Sequence, residues 1–209
     1  MADTPFGLTL QRLDMAATSN ETIEPQLPTV LVLASGRGVR FRASGGLASK
    51  LDAALLGKTV LEHVLQAVRA SGLPWHLERS THQTMGDTIQ AAVLATRNAP
   101  GWLILPGDLP LISAATLRAV AAALGPGQVV VPAYQGQRGH PVGIAGSYRD
   151  ALLEIGGRDG ARSILQATQQ IGQLRELHLD DAGIVTDVDT VAQLAAAEAL
   201  LRQRRHPDR

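Results

Sequence analysis

An unbroken apolar run, VLVLA at residues 30–34, gives way at once to glycines and basic residues, and this transition constrains the fold most strongly. A short, β-branched-rich run without polar alternation predicts a strand buried on both faces of a sheet. Glycines in the next segment, GRGVR at residues 36–40, allow a backbone to approach a phosphate closely, and Arg40, Arg42 and Lys50 add positive charge. The order strand, glycine-rich loop, basic residues and helix predicts a phosphate site at the carboxyl end of a central strand.

The loop fits some nucleotide-binding motifs better than others. A Walker A loop is excluded because Lys50 is followed by Leu51 rather than by Ser or Thr. A dinucleotide fingerprint is weak because Phe41 stands where its third glycine belongs. A nucleotidyltransferase loop, with glycines and an Arg around a triphosphate and a later Lys reaching it, remains open. So does an ordinary turn with solvated arginines.

Composition narrows the classes further. Lys+Arg 19 and Asp+Glu 19 cancel, which argues against a general binder of nucleic acid or of membrane surfaces. The chain has no cysteine, which excludes disulfides, thiolate metal sites and Cys nucleophiles. No apolar run approaches the roughly 20 residues of a membrane span. The first residues also lack the basic and apolar regions of a secretory signal, so we expect a cytoplasmic protein.

Periodicity predicts alternating strands and helices, which is typical of an α/β fold with a mostly parallel sheet covered on both faces. Residues 1–28 are predicted to be a flexible leader with a short helix near residues 8–15, residues 29–202 the folded domain, and residues 203–209 a frayed tail. The predicted strands are 29–34, 73–79 (weak), 102–105, 128–132, 141–145, 175–179 and 184–188. The predicted helices are 59–70, 88–97 with Asp87 as N-cap, 114–124 with Ser113 as N-cap, 148–155, 161–170 and 191–202.

Three loops that follow predicted strands carry the notable polar residues: 36–50, 106–110 and 187–190. Ligands of such a sheet bind outside the carboxyl ends of its strands. The first loop is basic and the other two are acidic, with Asp108 held between a glycine and a proline. Carboxylates on neighbouring strands could share a divalent cation, and Mg²⁺ prefers one or two carboxylates together with phosphate oxygens and water. A turn-capping role for Asp108 is the alternative.

Six short motifs occur in order between residues 30 and 201: LASGRGVRF at 33–41 with KL at 50–51, TMGDTI at 84–89, GDLP at 107–110, RGHPV at 138–142, DGAR at 159–162 and DVDT at 187–190. This series resembles the motifs LAAGxSxRMG…KLL, GMGxSL, GDMP, RGHPV, GDxGAR and DIDTPEDL of the MobA-like nucleotidyltransferases, and within them the molybdenum cofactor cytidylyltransferase (MocA-like) branch. The resemblance implies a three-layer αβα, Rossmann-like fold of the nucleotide-diphospho-sugar transferase (GT-A-like) type.

The resemblance also implies a reaction, the transfer of an NMP, with CMP favoured, from an NTP to the terminal phosphate of a molybdopterin-type acceptor. Arg40, Lys50 and Asp108 would be catalytic, with Mg²⁺ held by Asp108 and by Asp187 or Asp189. The acceptor phosphate is already an anion, so catalysis would be alignment and charge neutralisation. The implied nucleotide-binding residues are Leu33, Ala34, Ser35, Gly36, Gly38, Lys50, Met85, Gly86, Asp87, Thr88, Pro106 and Gly107. Gly139, His140 and Pro141 would line the acceptor side, although a histidine in such a loop can also simply bind the backbone.

The chain departs from the family between Ala70 and Met85, where it is short by one strand–helix segment. In the family this segment borders the nucleotide base, so base recognition is open to alteration or loss. The residues between Arg40 and Lys50 form a Gly/Ser-rich insertion that we expect to be a flexible flap. Two alternative functions therefore remain open. One is a non-catalytic accessory protein that binds the cofactor for a molybdenum hydroxylase or its chaperone. The other is a nicotinamide-dependent reductase, in which Glu62 would be the acidic residue that binds the ribose.

Overall fold

The computed structural model describes residues 26–36, 38–47, 49–155, 157 and 160–205. The leader up to residue 25, with the predicted helix near residues 8–15, and the last four residues lie outside this range. The strands are β1 (Thr29–Leu33), β2 (Ala54–Leu55), β3 (Lys58–Thr59), β4 (Trp75–Glu78), β5 (Gly101–Pro106), β6 (Val129–Tyr134), β7 (Gln137–Arg138), β8 (Val142–Ala145) and β9 (Leu174–His178). The α-helices are α1 (Val39–Ala43), α2 (Val60–Ser71), α3 (Met85–Ala95), α4 (Ala114–Ala123), α5 (Arg149–Leu153), α6 (Arg162–Gln170) and α7 (Val191–Arg205).

The main sheet has the strand order β4-β1-β5-β8-β6-β7, and β9 pairs with β6. Strands β4, β1 and β5 are parallel to one another, and β9 is parallel to β6. Strand β8 runs antiparallel to both β5 and β6, so its amino end meets the carboxyl ends of its neighbours. The mostly parallel, Rossmann-like sheet expected from the sequence is confirmed.

The sheet separates two hydrophobic cores, which explains the unbroken apolar run that opens the folded part of the chain. Val30 and Val32 face one core together with Leu61 of α2, whereas Leu31 faces the other core together with Ile89 of α3. All five residues of β1 are buried. A strand covered on both faces cannot alternate apolar and polar side chains, because both faces are buried.

Helix α2 shows why the sequence marks its ends so clearly. Thr59 is the N-cap, and its hydroxyl accepts a hydrogen bond from the Glu62 backbone while the Glu62 side chain accepts from the Thr59 backbone. Gly72 ends the helix in the left-handed conformation at φ 73. Helix α3 has the same kind of start, but its N-cap is Thr84 and Asp87 is the third helical residue, so the prediction of Asp87 as N-cap is wrong.

The predicted strand at residues 184–188 is also wrong. The chain forms a 3₁₀ turn at Ala182–Ile184 and then continues without regular structure to the start of α7. Ile184 and Val188 are fully buried, which is what made the segment resemble a strand. Its backbone bonds instead reach the loops at the sheet edge, because Val188 N donates to Asp108 O at 2.9 Å and Ile184 O accepts from His140 N at 2.9 Å.

The last described turn of helix α7 is anchored to the rest of the domain by the side chain of Arg204. Helix α7 continues to Arg205, so residues 203–205 of the predicted tail are helical. Arg204 donates to the carbonyl of Leu111 at 2.6 Å and to Asp181 Oδ1 at 2.9 Å. No helix in the ranges given above combines the length and the hydrophobicity that crossing a membrane requires.

Candidate active site

Three parallel strands end side by side at one edge of the sheet. Glu78 of β4 and Pro106 of β5 are both in register with Leu33 of β1, one on each side of it. With neighbouring strands about 4.8 Å apart, Glu78 and Pro106 are separated by about 10 Å along this edge. The loops that follow these strands, and the turn that precedes β8, therefore form one continuous surface.

An ion cluster lies at the β5 end of this edge. Lys50 Nζ donates to Asp108 Oδ2 at 2.5 Å and to Asp189 Oδ1 at 2.6 Å, and Arg40 contacts Asp189 Oδ2 at 2.6 Å. The side chains of Lys50, Asp108 and Asp189 are only 13%, 16% and 12% exposed. Burial lowers the pKa of Lys50, but the two carboxylates outweigh it and the pKa is raised, so the ammonium stays charged.

Backbone bonds hold both carboxylates of the cluster in place. Gly107 N donates to Leu33 O at 2.9 Å, and a Cβ at Gly107 would lie 3.1 Å from that oxygen. The glycine therefore lets the turn before Asp108 pack directly against β1. On the other side, Asp189 N donates to the Gln193 side chain at 3.0 Å, which ties the loop to the first turn of α7.

Two cavities meet at the ion cluster. The larger cavity, of about 630 Å³, crosses the ends of β4, β1 and β5. The smaller cavity, of about 350 Å³, lies between the cluster and the turn before β8. Lys50, Met85, Pro106 and Asp108 line both. The larger cavity has the volume of a small-molecule site.

The two cavities divide the predicted site residues between them. The larger is lined by Leu33, Ser35, Gly36, Lys50, Met85, Pro106, Gly107 and Asp108 among the predicted residues. The smaller is lined by Arg40, Lys50, Met85, Pro106, Asp108, Gly139, His140, Asp187 and Asp189 among them. The basic loop and the two acidic loops, far apart in sequence, thus lie at one edge of the sheet.

The remaining predicted residues support the cavity walls rather than lining them. Thr88 is fully buried and its hydroxyl lies 2.6 Å from the Ser35 hydroxyl, which joins α3 to the glycine-rich loop. The Asp87 carboxylate accepts from the Thr84 backbone at 2.9 Å. Two other residues of this group donate backbone hydrogen bonds: Ala34 N donates to Glu78 O at 2.8 Å, and Gly86 N donates to Gly157 O at 3.1 Å. The last two are Gly38, which precedes α1 at φ 58, and Pro141, which follows His140 through a cis peptide bond.

His140 lies in the wall of the smaller cavity. Its Nδ1 is enclosed and has no hydrogen-bond partner in the part of the chain that the structure describes. Burial lowers the pKa of His140, and the nearby carboxylates of Asp108 and Asp187 oppose this only in part. The imidazole is therefore neutral near pH 7.

Several residues of the cavities were not predicted from the sequence. His82 and Gln83 line the larger cavity, and Gln137 and Arg138 line the smaller one. Arg138 begins the RGHPV motif, so this motif could have identified Arg138 as a residue of the site. The position of His82 depends on the edge strand β4, and no local pattern marks it.

We expect Gly139→Ala to lower the free energy of unfolding by about 1–3 kcal/mol, the usual cost of overpacking. A Cβ at Gly139 would overlap the Ile184 carbonyl, and the turn would have to move. Denaturant titration measures the effect. Gly36→Ala is the control, because a Cβ there meets nothing within 4 Å. Equal stability of Gly139→Ala and the wild type would contradict this close packing.

The mostly parallel αβα sheet, with a glycine-lined, charged cavity at the carboxyl ends of its strands, has the architecture of a nucleotidyltransferase. Residues 66–174, more than half of the chain, match the family model of the MobA-like NTP transferase domain. The chain belongs to the MobA-like NTP transferase family, as the sequence motifs predicted. A search of curated proteins finds no significant match.

Solved structures share this fold. A nucleotidyl transferase of Methanothermobacter (Mth528) is 17% identical, with a TM-score of 0.72 over 85% of this chain and 99% of that one. Rv0371c of Mycobacterium tuberculosis H37Rv, solved in complex with manganese, is 22% identical, with a TM-score of 0.62 over 83% and 98%. Molybdopterin-guanine dinucleotide biosynthesis protein A of Archaeoglobus fulgidus is 17% identical, with a TM-score of 0.54 over 84% and 99%. At these identities the similarity is one of fold.

Glu62, the acid that a nicotinamide-dependent reductase would need at the ribose, is engaged elsewhere. Its carboxylate accepts from the Thr59 backbone at 2.6 Å as part of the cap of α2. It does not line either cavity at the carboxyl edge of the sheet. The geometry therefore gives the reductase hypothesis no support.

Proposed function

We propose that this chain is a cytoplasmic nucleotidyltransferase that moves an NMP, with CMP favoured, from an NTP to a phosphate of a molybdopterin-type acceptor. One observation carries the proposal: two cavities of ligand size meet at a cluster of Lys50, Asp108 and Asp189. The larger cavity would hold the NTP and the smaller one the acceptor. Their junction would then be where the acceptor oxygen bonds to the α-phosphorus and pyrophosphate leaves.

The junction suits a divalent cation, for which we propose Mg²⁺. Asp108 and Asp189 direct one oxygen each at the same point, which the Lys50 ammonium occupies. In the described residues there is no group of three or more metal-ligating side chains. Two carboxylates, together with phosphate oxygens and water, match the ligand preference of Mg²⁺. Asp187 lines the smaller cavity beside this cluster and could also contribute. Such an ion would neutralise charge on the phosphoryl oxygens.

Lys50 would have a different partner in each state. In the free protein its ammonium neutralises Asp108 and Asp189. If those carboxylates held a cation, Lys50 would be free to neutralise the phosphates of the NTP, which its flexible stem would let it follow. The same side chain would thus keep two carboxylates together before binding and neutralise phosphate charge after it.

The smaller cavity offers groups that suit an anionic acceptor. Arg40 and Arg138 both line it, and the neutral His140 imidazole forms part of its wall. Arg138 is held by Glu176 at 2.9 Å and by Gln169 at 3.1 Å, so its guanidinium is oriented before any ligand arrives. These residues would align the acceptor phosphate with the α-phosphate, which requires no side-chain nucleophile.

The proposal is tested by the thermal stability of the protein with CTP, GTP, ATP and UTP, each with and without Mg²⁺. A nucleotide present at 100 times its dissociation constant should stabilise the fold by about 2.7 kcal/mol. We expect the stabilisation to be larger with Mg²⁺, because Asp108 and Asp189 would hold the ion and its charge would offset that of the phosphates.

Pyrophosphate release with each NTP, Mg²⁺ and molybdopterin then separates the remaining classes. Release with at least one NTP supports the transferase. Nucleotide or molybdopterin binding without release would favour the non-catalytic accessory protein. Absence of both would refute the proposed function.

A further inference from the structure

A histidine and a carboxylate form a pair at the far end of the larger cavity from the ion cluster. His82 Nε2 lies 3.2 Å from Glu78 Oε1. Glu78 is the last residue of β4, and its side chain is 10% exposed, whereas the His82 side chain is 19% exposed and lines the cavity. The pair was not among the predicted site residues, and neither the family match nor the proposed function assigns it a role.

Glu78 fixes which nitrogen of His82 carries the proton. Burial raises the pKa of Glu78, but hydrogen bonds from Ser80 and His82 and the nearby His76 side chain outweigh it and the pKa is lowered. The Ser80 N–H donates to Glu78 Oε1 at 2.8 Å. An ionised carboxylate only accepts, so His82 Nε2 must donate, and in the neutral ring Nδ1 is then an acceptor. Among the described residues, the His82 side chain hydrogen-bonds only Glu78, through Nε2, so Nδ1 has no protein partner there.

The position of the pair along the sheet edge matches the base end of a nucleotide. Glu78 and Pro106 stand in register on either side of Leu33, about 10 Å apart. Asp108 follows Pro106 at the end proposed for the phosphates, and Ser35 and Gly36 also line this cavity. With phosphates at Asp108, a nucleoside lying across β1 would bring its base to the loop after β4.

We propose that His82, oriented by Glu78, is a specificity residue that reads the nucleobase. This inference rests on the proposed function, since it requires an NTP in the larger cavity. An acceptor at Nδ1 bonds an exocyclic amino group, such as that of cytosine or adenine, and repels the carbonyl oxygen that replaces it in uracil or hypoxanthine. The base would thus be read at the edge strand β4.

Calorimetric titration with two matched nucleotide pairs, CTP against UTP and ATP against ITP, tests the inference. The titrations use Mg²⁺ at pH 8. We expect the wild type to bind the amino-bearing member of at least one pair about tenfold more tightly, the worth of one hydrogen bond together with the repulsion it replaces. His82→Ala should abolish this preference, because it should weaken the binding of the amino-bearing nucleotide but not the binding of its partner.

His76→Ala is the matched control. His76 Nε2 lies 3.6 Å from the other oxygen of Glu78, but His76 does not line the larger cavity, so the base preference should persist. Glu78→Gln keeps the ring and the volume, and should reduce the preference because an amide can donate as well as accept. This variant tests the idea even if His82→Ala does not fold.

The outcomes separate two kinds of failure. A wild type that binds NTPs without preferring an amino-bearing base, that prefers UTP, or whose preference survives His82→Ala overturns the role of His82 and leaves the transferase intact. A wild type that binds no NTP in the presence of Mg²⁺ refutes the proposed function itself.

Discussion

Asp108→Asn is expected to lower metal-dependent pyrophosphate release by about a thousandfold or more, while the protein remains folded. A metal ion at a phosphoryl centre contributes several kcal/mol to transition-state stabilisation, and each 1.36 kcal/mol is about tenfold in rate. Asn has nearly the same shape as Asp but is a poorer ligand for Mg²⁺. The side chain of Asp108 contacts Lys50, which keeps its bond to Asp189, and the Asp108 carbonyl still accepts from Val188.

The control for this variant is Asp52→Asn. Asp52 forms an exposed pair with Arg79 at 3.4 Å, and an exposed pair of this kind contributes little. Both variants lose one carboxylate, so only a specific role of Asp108 predicts a difference between them. Circular dichroism and denaturant titration check the fold. Pyrophosphate release by Asp108→Asn at the wild-type rate would exclude Asp108 from the proposed metal site.

Lys50→Ala is expected to change two properties in opposite directions. Turnover should fall by about a hundredfold, because a cation that neutralises phosphate charge is lost. The nucleotide-free protein should bind Mn²⁺ about tenfold more tightly, because the ion no longer competes with an ammonium hydrogen-bonded to both Asp108 and Asp189. Manganese titration followed by electron paramagnetic resonance measures the second effect independently of activity.

Lys58→Ala is the matched control for Lys50→Ala. Lys58 is exposed and hydrogen-bonds the Gln66 side chain on the neighbouring helix, so removing it should alter neither turnover nor manganese affinity. If Lys50→Ala binds manganese no better than the wild type, Lys50 does not occupy the cation position. If it also retains full turnover, Lys50 has no role in the reaction.

Patterns of apolar residues and helix-capping residues in the sequence predicted most of the fold. The apolar run of β1 and the capped, periodic α2 were predicted within a residue of their bounds, because burial on both faces and helix capping act locally. The hairpin of β2 and β3 was missed, since strands of two residues carry no periodic signal. The strand predicted at residues 184–188 failed because buried residues can also lie in irregular segments.

The candidate site was predicted at the level of loops but not of contacts. The rule that ligands bind at the carboxyl ends of strands predicted from the sequence alone that Asp108 and Lys50 lie at the same edge of the sheet. The sequence led us to expect Lys50 on phosphates, whereas in this structure it bridges Asp108 and Asp189. The Lys50–Asp189 bond joins residues 139 positions apart, and no local pattern encodes such a distance.

The ammonium between Asp108 and Asp189 has a consequence for metal selection in the cell. Bare carboxylate pairs capture whichever divalent ion binds most strongly, and copper and zinc outcompete magnesium for most protein ligands. A covalently attached cation cannot be washed out or exchanged, so under the proposed function it would block such capture while no substrate is present. The pair would become available only when phosphates draw Lys50 away, and those phosphates would be hard oxygen donors that suit magnesium.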